Sequence, residues 1–350
     1  MIDKNFWRGK RVFLTGHTGF KGSWLSLWLS SLGVIVRGYS LDPPTTPSLF
    51  TEIGITDVVD STIGDIRDLE RIKASMLDFA PDIVIHMAAQ ALVRYSYEFP
   101  IETYEVNVMG TINVLEAARN CPCVKAIVNI TTDKCYENDG RREGYREDDQ
   151  MGGHDPYSSS KGCAELVTSA YRRSFLNTQD IGLASVRAGN VIGGGDWASD
   201  RLIPDILRSF ENKKSVLIRN PESTRPWQHV LEPLSGYMML VQKLYTDPTV
   251  FSQGWNFGPS HKDIRSVKWI LDKMIDKWGH AEWEADKGAN PHEAGYLKLD
   301  ILKAKEELNW TPRWNLDRAL DFIIEWHKLY LSGADMQKVS LDQIALYQNG

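Results

Sequence analysis

The chain has 350 residues, 40 of them basic and 46 acidic, for a formal charge of −6, and this length predicts two joined parts able to bury a sizeable core. The acidic balance offers no general field for nucleic acid or an anionic membrane, so neither is expected as a partner, and an anionic ligand must meet positive groups placed locally. Cys121, Cys123, Cys135 and Cys163 show no two-plus-two metal spacing, which predicts reduced thiols, no metal and a cytoplasmic setting.

The amino terminus, MIDKNFWRGKR, lacks the apolar core of a secretory leader. Residues 24–39, the most apolar stretch, carry serines, Gly33 and Arg37 and are too short and polar to span a bilayer. From residue 11 to about 189, short β-branched runs alternate with helical patterns. RVFLTG, GVIVRGYS, PDIVIHMAA, KAIVNITT and IGLASVRAGN read as strands, with another before Gly64, and residues 103–119 and 158–175 read as helices. The alternation predicts right-handed crossovers and an α/β fold with a doubly wound parallel sheet of Rossmann type, whose ligands bind beyond the carboxyl ends of the strands.

After residue 190 the rhythm breaks into a glycine-rich turn (VIGGGDW), a helix at 201–212, a strand (SVLIRN) and a loop (PESTRPWQHV). A helix at 232–245 and the strand GWNFG lead back to the sheet, and helices are expected at 265–278, 302–308 and 317–331. The expected organisation is a dinucleotide-binding domain over 1–189 plus about 227–260. A smaller, discontinuous α/β substrate domain takes 190–226 and 261–350.

Gly16, Gly19 and Gly22 punctuate the loop LTGHTGFKG, between the first strand and a helix expected from residue 23. Glycines there let the backbone turn sharply and approach a pyrophosphate, while a helix amino terminus offers free N–H groups and a favourable dipole. With Thr18 and Phe20 inside it, the loop reads as a dinucleotide cradle, one residue longer in spacing than the common fingerprint. Asp42 stands at the interval where a carboxylate accepts from an adenosine ribose and repels a 2′-phosphate, which favours NAD; before Pro43 and Pro44 it reads equally well as a turn-forming aspartate. Asp65 and Ile66 are placed to reach the adenine, and Ala88, Ala89 and Gln90 end a strand with small residues across which a cofactor can lie.

Thr132, Asp133 and Lys134 follow the apolar run AIVNI, with Tyr157 and Lys161 further on. Five proton-handling side chains where strands end and helices begin point to several proton movements, more than one redox step needs. Tyr157 and Lys161 share one helix face, so the ammonium is expected to pull the phenol down from about 10. DPYSSSK marks a proline-led helix start. Asn190, Arg219 and Arg225 are candidates for nucleotide and pyrophosphate, since guanidinium forks suit phosphate; Arg201, opening the helix at 201–212, joins them. His17, His86 and His229 lack metal-like pairing and read as satisfied polar residues, and Trp24 and Trp28 as core.

The Gly16/Gly19/Gly22 loop, Asp65-Ile66, the run from His86 to Gln90, Asn107 in VNVMGTINVLEAAR, Thr132, Tyr157 and Lys161 together resemble the extended short-chain dehydrogenase/reductase superfamily, which acts on nucleotide sugars. The resemblance covers essentially the whole chain. It implies NAD, with Asn107 among the cofactor residues, Thr132 bonding the oxidised hydroxyl, Tyr157 abstracting its proton and Lys161 holding the nicotinamide ribose. It also implies a homodimer through the helices at 103–119 and 158–175. Epimerases of the superfamily carry small or apolar residues after the threonine, and many dehydratases carry Asp-Glu. Asp133-Lys134 in TTDKCYEN, with RAGNVIGGGDW, TRPWQHV and HEA before Tyr296, is similar to the CDP-D-glucose 4,6-dehydratases of deoxysugar (O-antigen type) biosynthesis.

That similarity implies CDP-glucose as ligand and His292 as a substrate contact; nothing in composition or spacing shows cytidine. In the implied reaction, oxidation at carbon 4 acidifies the hydrogen on carbon 5, water leaves from carbon 6, and the hydride returns to carbon 6. Tyr157 is then the first base and Asp133 the acid at the carbon 6 hydroxyl. Lys134 is either the base at carbon 5 or a charge that stabilises the enolate. An NAD-dependent epimerase, or a dehydratase of another nucleotide sugar, uses the same core.

Overall fold

The structure, a computed structural model, describes residues 1–279, 281–286 and 296–350. Its central sheet is built from β1 (Arg11–Thr15), β2 (Ile35–Ser40), β3 (Asp60–Ile63), β4 (Ile83–His86), β5 (Ala126–Ile130), β6 (Gly182–Ala188) and β7 (Gly254–Phe257). The strands lie in the order β7-β6-β5-β4-β1-β2-β3, each parallel to its neighbours. Every residue of β4, β5 and β6 is buried, as expected of unbroken apolar runs in a sheet covered on both faces. The chain leaves β1 towards β2 and β3, then returns to lay β4 on the other side. This reversal opens a crevice between the loops after β1 and β4, whose last residues, Thr15 and His86, are paired.

The helix expected at 103–119 is interrupted. Pro100–Tyr104 runs into a π-helical turn, Glu105–Met109, before Gly110–Arg119 resumes; such turns displace a side chain from the regular ladder, here Asn107. The segment PESTRPWQHV, expected as a loop, holds two short strands. Thr224–Pro226 pairs antiparallel with Ile264–Ser266, and Gln228–His229 pairs parallel with Val191–Ile192. The segment is largely buried, so its backbone groups need ladder partners.

The smaller core joins Ile203, Ile206, Leu207 and Phe210 of the helix Leu202–Glu211 to residues of Val267–Trp278 and Leu316–Leu331. This last helix serves both parts, since Leu320 and Ile323 enter the small core and Trp326 the large one. The final helix, Met336–Asn349, falls in the span read as substrate domain but packs on the dinucleotide side. Tyr347 meets Trp28 at 5.7 Å, its hydroxyl donates to Glu232 at 2.7 Å, and Gln337 donates to the Ile53 carbonyl at 2.9 Å. Its apolar residues Met336, Ile344 and Tyr347 are buried in the larger core, which sets its place.

Candidate active site

Gly16 has φ of +79°, and a Cβ on it would lie 2.6 Å from the Ala88 nitrogen. A Cβ on Gly22 would lie 2.0 Å from the Gly16 carbonyl oxygen. The two glycines thus let the loop after β1 fold onto itself and onto the end of β4. The following helix, Phe20–Ser31, starts earlier than expected, with Gly19 as N-cap and no side chain bonded there. Thr18 spends its hydroxyl on Ser40 Oγ and the Leu41 carbonyl, both at 2.9 Å, which ties the loop to the end of β2 beside the exposed Asp42. Phe20 lies against Gly193, 3.0 Å from the position of its missing Cβ. Gly194 likewise leaves room for Trp326, and its carbonyl accepts from Trp24 Nε1 at 3.0 Å. The glycine triplet therefore lets the second part close against the cofactor helix.

At the ends of β3 and β4 several predicted residues act through others. Burial resists charge on Asp65, but the Arg67 guanidinium and backbone N–H hold its carboxyl below the usual range. Ile66 buries its side chain against Gly110. Asn107 Oδ1 accepts from Gln90 N at 2.9 Å, and its Nδ2 donates to the Gln90 carbonyl and to Ser160 Oγ at 3.0 and 2.9 Å. Both amide hydrogens are spent, so Asn107 positions the loop after β4 against the Tyr157 helix. Gln90 itself donates to Thr103 and to the Leu92 carbonyl. His86 donates from Nε2 to Thr111 Oγ1, which donates to the Asn107 carbonyl, and Nδ1 accepts from Thr15. This network assigns a neutral tautomer, in keeping with burial that takes His86 down to about 3.

The proton-handling run Thr132, Asp133 and Lys134 lies just beyond β5. Thr132 caps the short turn Asp133–Cys135, accepting from Lys134 N at 3.3 Å and donating to Asp133 Oδ1 at 3.1 Å. Asp133 is 3% exposed, and its Oδ2 has no hydrogen-bond partner and lies 2.9 Å from the position of a Gly189 Cβ. Burial pushes this carboxyl up towards its protonated form, against the pull of Lys134, Thr132 and Arg225.

Tyr157 sits in the first turn of the helix Pro156–Tyr171, which Asp155 caps through Ser158 N at 2.9 Å. Its phenol is pushed up to about 12, by burial first and by the Asp133 charge, with Thr132 and Arg201 opposing. The expected downward pull from Lys161 is not what governs it. Lys161 points its ammonium at the Ile130 carbonyl, 3.3 Å away, and burial takes its own pKa down to about 8. Neither residue is among the groups that shift the other, and desolvation is the largest cause for both.

Arg201 pairs with Asp196 at 3.0 Å, and its charge acts on both Tyr157 and Lys21. Arg225 is buried on its short strand and its charge acts on Asp133. Arg219, partly exposed, pairs with Asp200, the residue before Arg201, at 3.0 Å. Asn190 is half-buried just past β6 and accepts from Gln228 N through its carbonyl. His292 lies outside the described residues.

Two ionisable side chains near these residues escaped the sequence reading. Lys21, in the glycine loop, is taken down to about 7 by burial and by the charges of Lys161 and Arg201, with Asp133 opposing. A lysine in the otherwise apolar helix start FKGSWLSLWL was the available signal. Glu165 accepts from Thr131 Oγ1 at 2.5 Å, Ser185 Oγ at 2.6 Å and Arg187 at 2.8 and 3.0 Å. It joins Thr131, just past β5, to Ser185 and Arg187 of β6; its place eight residues after Tyr157, on the same helix face, was the signal.

The profile of the GDP-mannose 4,6-dehydratase family matches residues 13–322. The chain belongs to this family. CDP-glucose 4,6-dehydratase of Salmonella typhimurium is 60% identical over 355 aligned residues, covering 100% of this chain and 99% of that protein. The structure of dTDP-glucose 4,6-dehydratase from Bacillus anthracis in complex with NAD superimposes with a TM-score of 0.77 at 20% identity, covering 94% of this chain and all of that one. UDP-glucose 4-epimerase from Thermotoga maritima, with UDP-glucose, gives a TM-score of 0.79 at 20% identity, covering 92% and 99%. These two likenesses show a fold common to dehydratases and epimerases, so the choice between the two chemistries within the family rests on the residues after β5.

Proposed function

We propose that this chain is a CDP-D-glucose 4,6-dehydratase, a hydro-lyase that converts CDP-glucose to CDP-4-keto-6-deoxy-D-glucose and water with NAD as an internal redox cofactor. The observation that carries the reading is the buried Asp133 carboxyl, held towards its protonated form with one oxygen unpartnered, beside Thr132 and Tyr157. Epimerisation needs a base and a hydride acceptor. Elimination also needs an acid for the departing hydroxyl, a role suited to a buried carboxyl whose pKa is raised by desolvation. The nucleotide is argued from the relative of that name at 60% identity over the full chain.

The glycine cradle fits NAD. Gly16 and Gly22 admit no Cβ, and the helix start at Gly19 presents N–H groups that suit a pyrophosphate. Thr18, Phe20, Asp42, Asp65, Ile66, Ala88, Ala89, Gln90 and Asn107 shape or line this side of the crevice. When bound, NAD supplies the acceptor for the carbon 4 hydride and its return to carbon 6. Tyr157 takes the proton of the carbon 4 hydroxyl, which Thr132 orients, and the Arg201 charge favours the phenolate. Lys161 holds the cofactor ribose. With a carbonyl at carbon 4, Lys134 removes the carbon 5 proton and Asp133 protonates the carbon 6 hydroxyl as it leaves. Asn190, Arg201, Arg219, Arg225 and His292 take the nucleotide and diphosphate.

Exposed apolar side chains on the helices at 100–119 and 156–176, Ile101 at 75% and Leu166 at 61% among them, support a homodimer through these faces. A cytoplasmic setting and a place in deoxysugar synthesis of the O-antigen type fit four unpaired cysteines and a nucleotide-sugar substrate. The test is incubation with CDP-glucose and catalytic NAD, with dTDP-glucose and UDP-glucose as comparators. A 4-keto-6-deoxy product formed fastest from CDP-glucose is expected. Recovery of a stereoisomer of the substrate, with no keto product, would overturn the reading.

A further inference from the structure

Two arginines from different parts of the molecule meet on one oxygen atom. Arg94, in the short helix Val93–Glu98, donates from Nη1 to Asp200 Oδ1 at 3.1 Å, and Arg219, just past the strand Val216–Ile218, donates from Nη2 to the same oxygen at 3.0 Å. Among the described residues these are the only hydrogen bonds either guanidinium makes. Each keeps four of its five N–H groups in hand, and two positive charges share one negative one. The carboxylate belongs to a residue with φ of +59°, a backbone region that aspartate tolerates but that gains nothing by itself. All three side chains are partly exposed, at 41%, 39% and 26% for Arg94, Asp200 and Arg219. Exposed pairs of this kind contribute little to stability, so the triad is readily exchanged for a better anion.

Its position is beside the chemistry. Ser96, on the Arg94 helix, accepts from the Tyr157 backbone N–H at 3.1 Å, and Arg201, the residue after Asp200, acts on the Tyr157 phenol. We propose that Arg94 and Arg219 form a two-sided clamp for the substrate's diphosphate, and that Asp200 is an internal stand-in that holds the clamp assembled until phosphate oxygens replace it. The inference rests on the proposed activity towards a nucleoside diphosphate sugar and adds Arg94, from the dinucleotide side, to the substrate residues. A diphosphate brings more negative charge and more acceptor oxygens than one carboxylate. It therefore matches the surplus charge and the unused guanidinium donors. Closing the clamp also draws the two parts of the molecule onto one ligand.

The test is calorimetric titration of wild type, Arg94→Gln and Asp200→Asn with CDP-glucose, CDP and CMP, with melting temperatures recorded for each protein. Arg94→Gln is expected to weaken CDP-glucose and CDP by about tenfold or more, to weaken CMP much less, and to raise KM more than it lowers kcat. Asp200→Asn removes the competing carboxylate and is expected to tighten CDP-glucose and CDP several-fold. Unchanged affinity in Arg94→Gln, equal losses for CDP and CMP, or weaker binding in Asp200→Asn would overturn the clamp. Wild-type protein that binds neither CDP-glucose nor CDP would overturn the proposed activity too, whereas wild-type binding with unmoved variants sinks the clamp alone.

Discussion

Replacing Asp133 with asparagine separates the elimination from the oxidation that precedes it. Asparagine keeps the volume and one oxygen to accept from Thr132, now at 3.1 Å, but it has no proton to give a leaving hydroxyl. Burial already favours the neutral form of this carboxyl, so the neutral amide creates no new buried charge and the fold should hold. General acid catalysis contributes about 10²–10⁴-fold; kcat for dehydration should fall by that factor, about 2.7–5.5 kcal/mol of barrier. Oxidation at carbon 4 should persist. Whatever charge the carboxyl retains adds to the burial that pushes the Tyr157 phenol up to about 12, so its loss does not impede ionisation of the phenol. Rapid mixing with CDP-glucose and NAD should show reduced nicotinamide absorbance that rises and then stays, because hydride return waits on elimination. A variant that dehydrates at nearly the wild-type rate would refute the acid role. One that loses oxidation in the same proportion would show that Asp133 serves the first step instead.

Lys134→Met should likewise leave the rise in reduced nicotinamide intact while stopping exchange of the carbon 5 hydrogen with deuterated solvent; normal exchange would assign Lys134 to enolate stabilisation instead. Gly22→Ala puts a Cβ 2.0 Å from the Gly16 carbonyl oxygen, and is expected to weaken NAD by at least tenfold, or about 1.4 kcal/mol, in a fluorescence titration. Unaltered NAD affinity would mean the loop is not the cradle. Glu165→Gln leaves the buried Arg187 without its partner and should cost about 3–5 kcal/mol in denaturant unfolding at neutral pH. Burial opposes the Glu165 charge, but Arg187, Ser185 and Thr131 hold its pKa below the ordinary value. Its contribution is therefore complete above the unfolded value of about 4.3 and lost as pH falls through the lower folded one; a wild-type profile with no extra loss there relative to the variant would exclude this role. On the proposed homodimer, Leu166→Arg, on the exposed apolar face of the Tyr157 helix, should lower the sedimenting mass from two chains to one, and an unmoved mass would refute an interface on this face.

What the sequence makes legible here is chemistry carried by short spacing. Three glycines at fixed intervals after a strand announce the tight turn that opens a helix, and a tyrosine and lysine one helical turn apart announce a shared helix face, because the backbone period alone sets both. The parallel sheet is legible for the same reason, since β4, β5 and β6 are apolar runs that need cover on both faces. The strands of 224–229 and the docking of the last helix are not, because both depend on which distant surface remains to be covered.

Charge is where local reading fails most instructively. Spacing predicted that Lys161 would bring the Tyr157 phenol down, yet burial, with Asp133 adding to it, raises the phenol to about 12 and takes the lysine to about 8. The same enclosure keeps Asp133 towards its acid form and brings Lys21 to about 7. One cause, burial away from water, thus moves carboxyl, phenol and amines each towards its neutral state. A proton relay benefits from such a bias, because a neutral acid can donate and a neutral amine can accept, and neither condition holds for the same groups in water. Admitting water to these groups should return all of them towards their ordinary ionisation together, which is a property of the fold that no single motif in the chain contains.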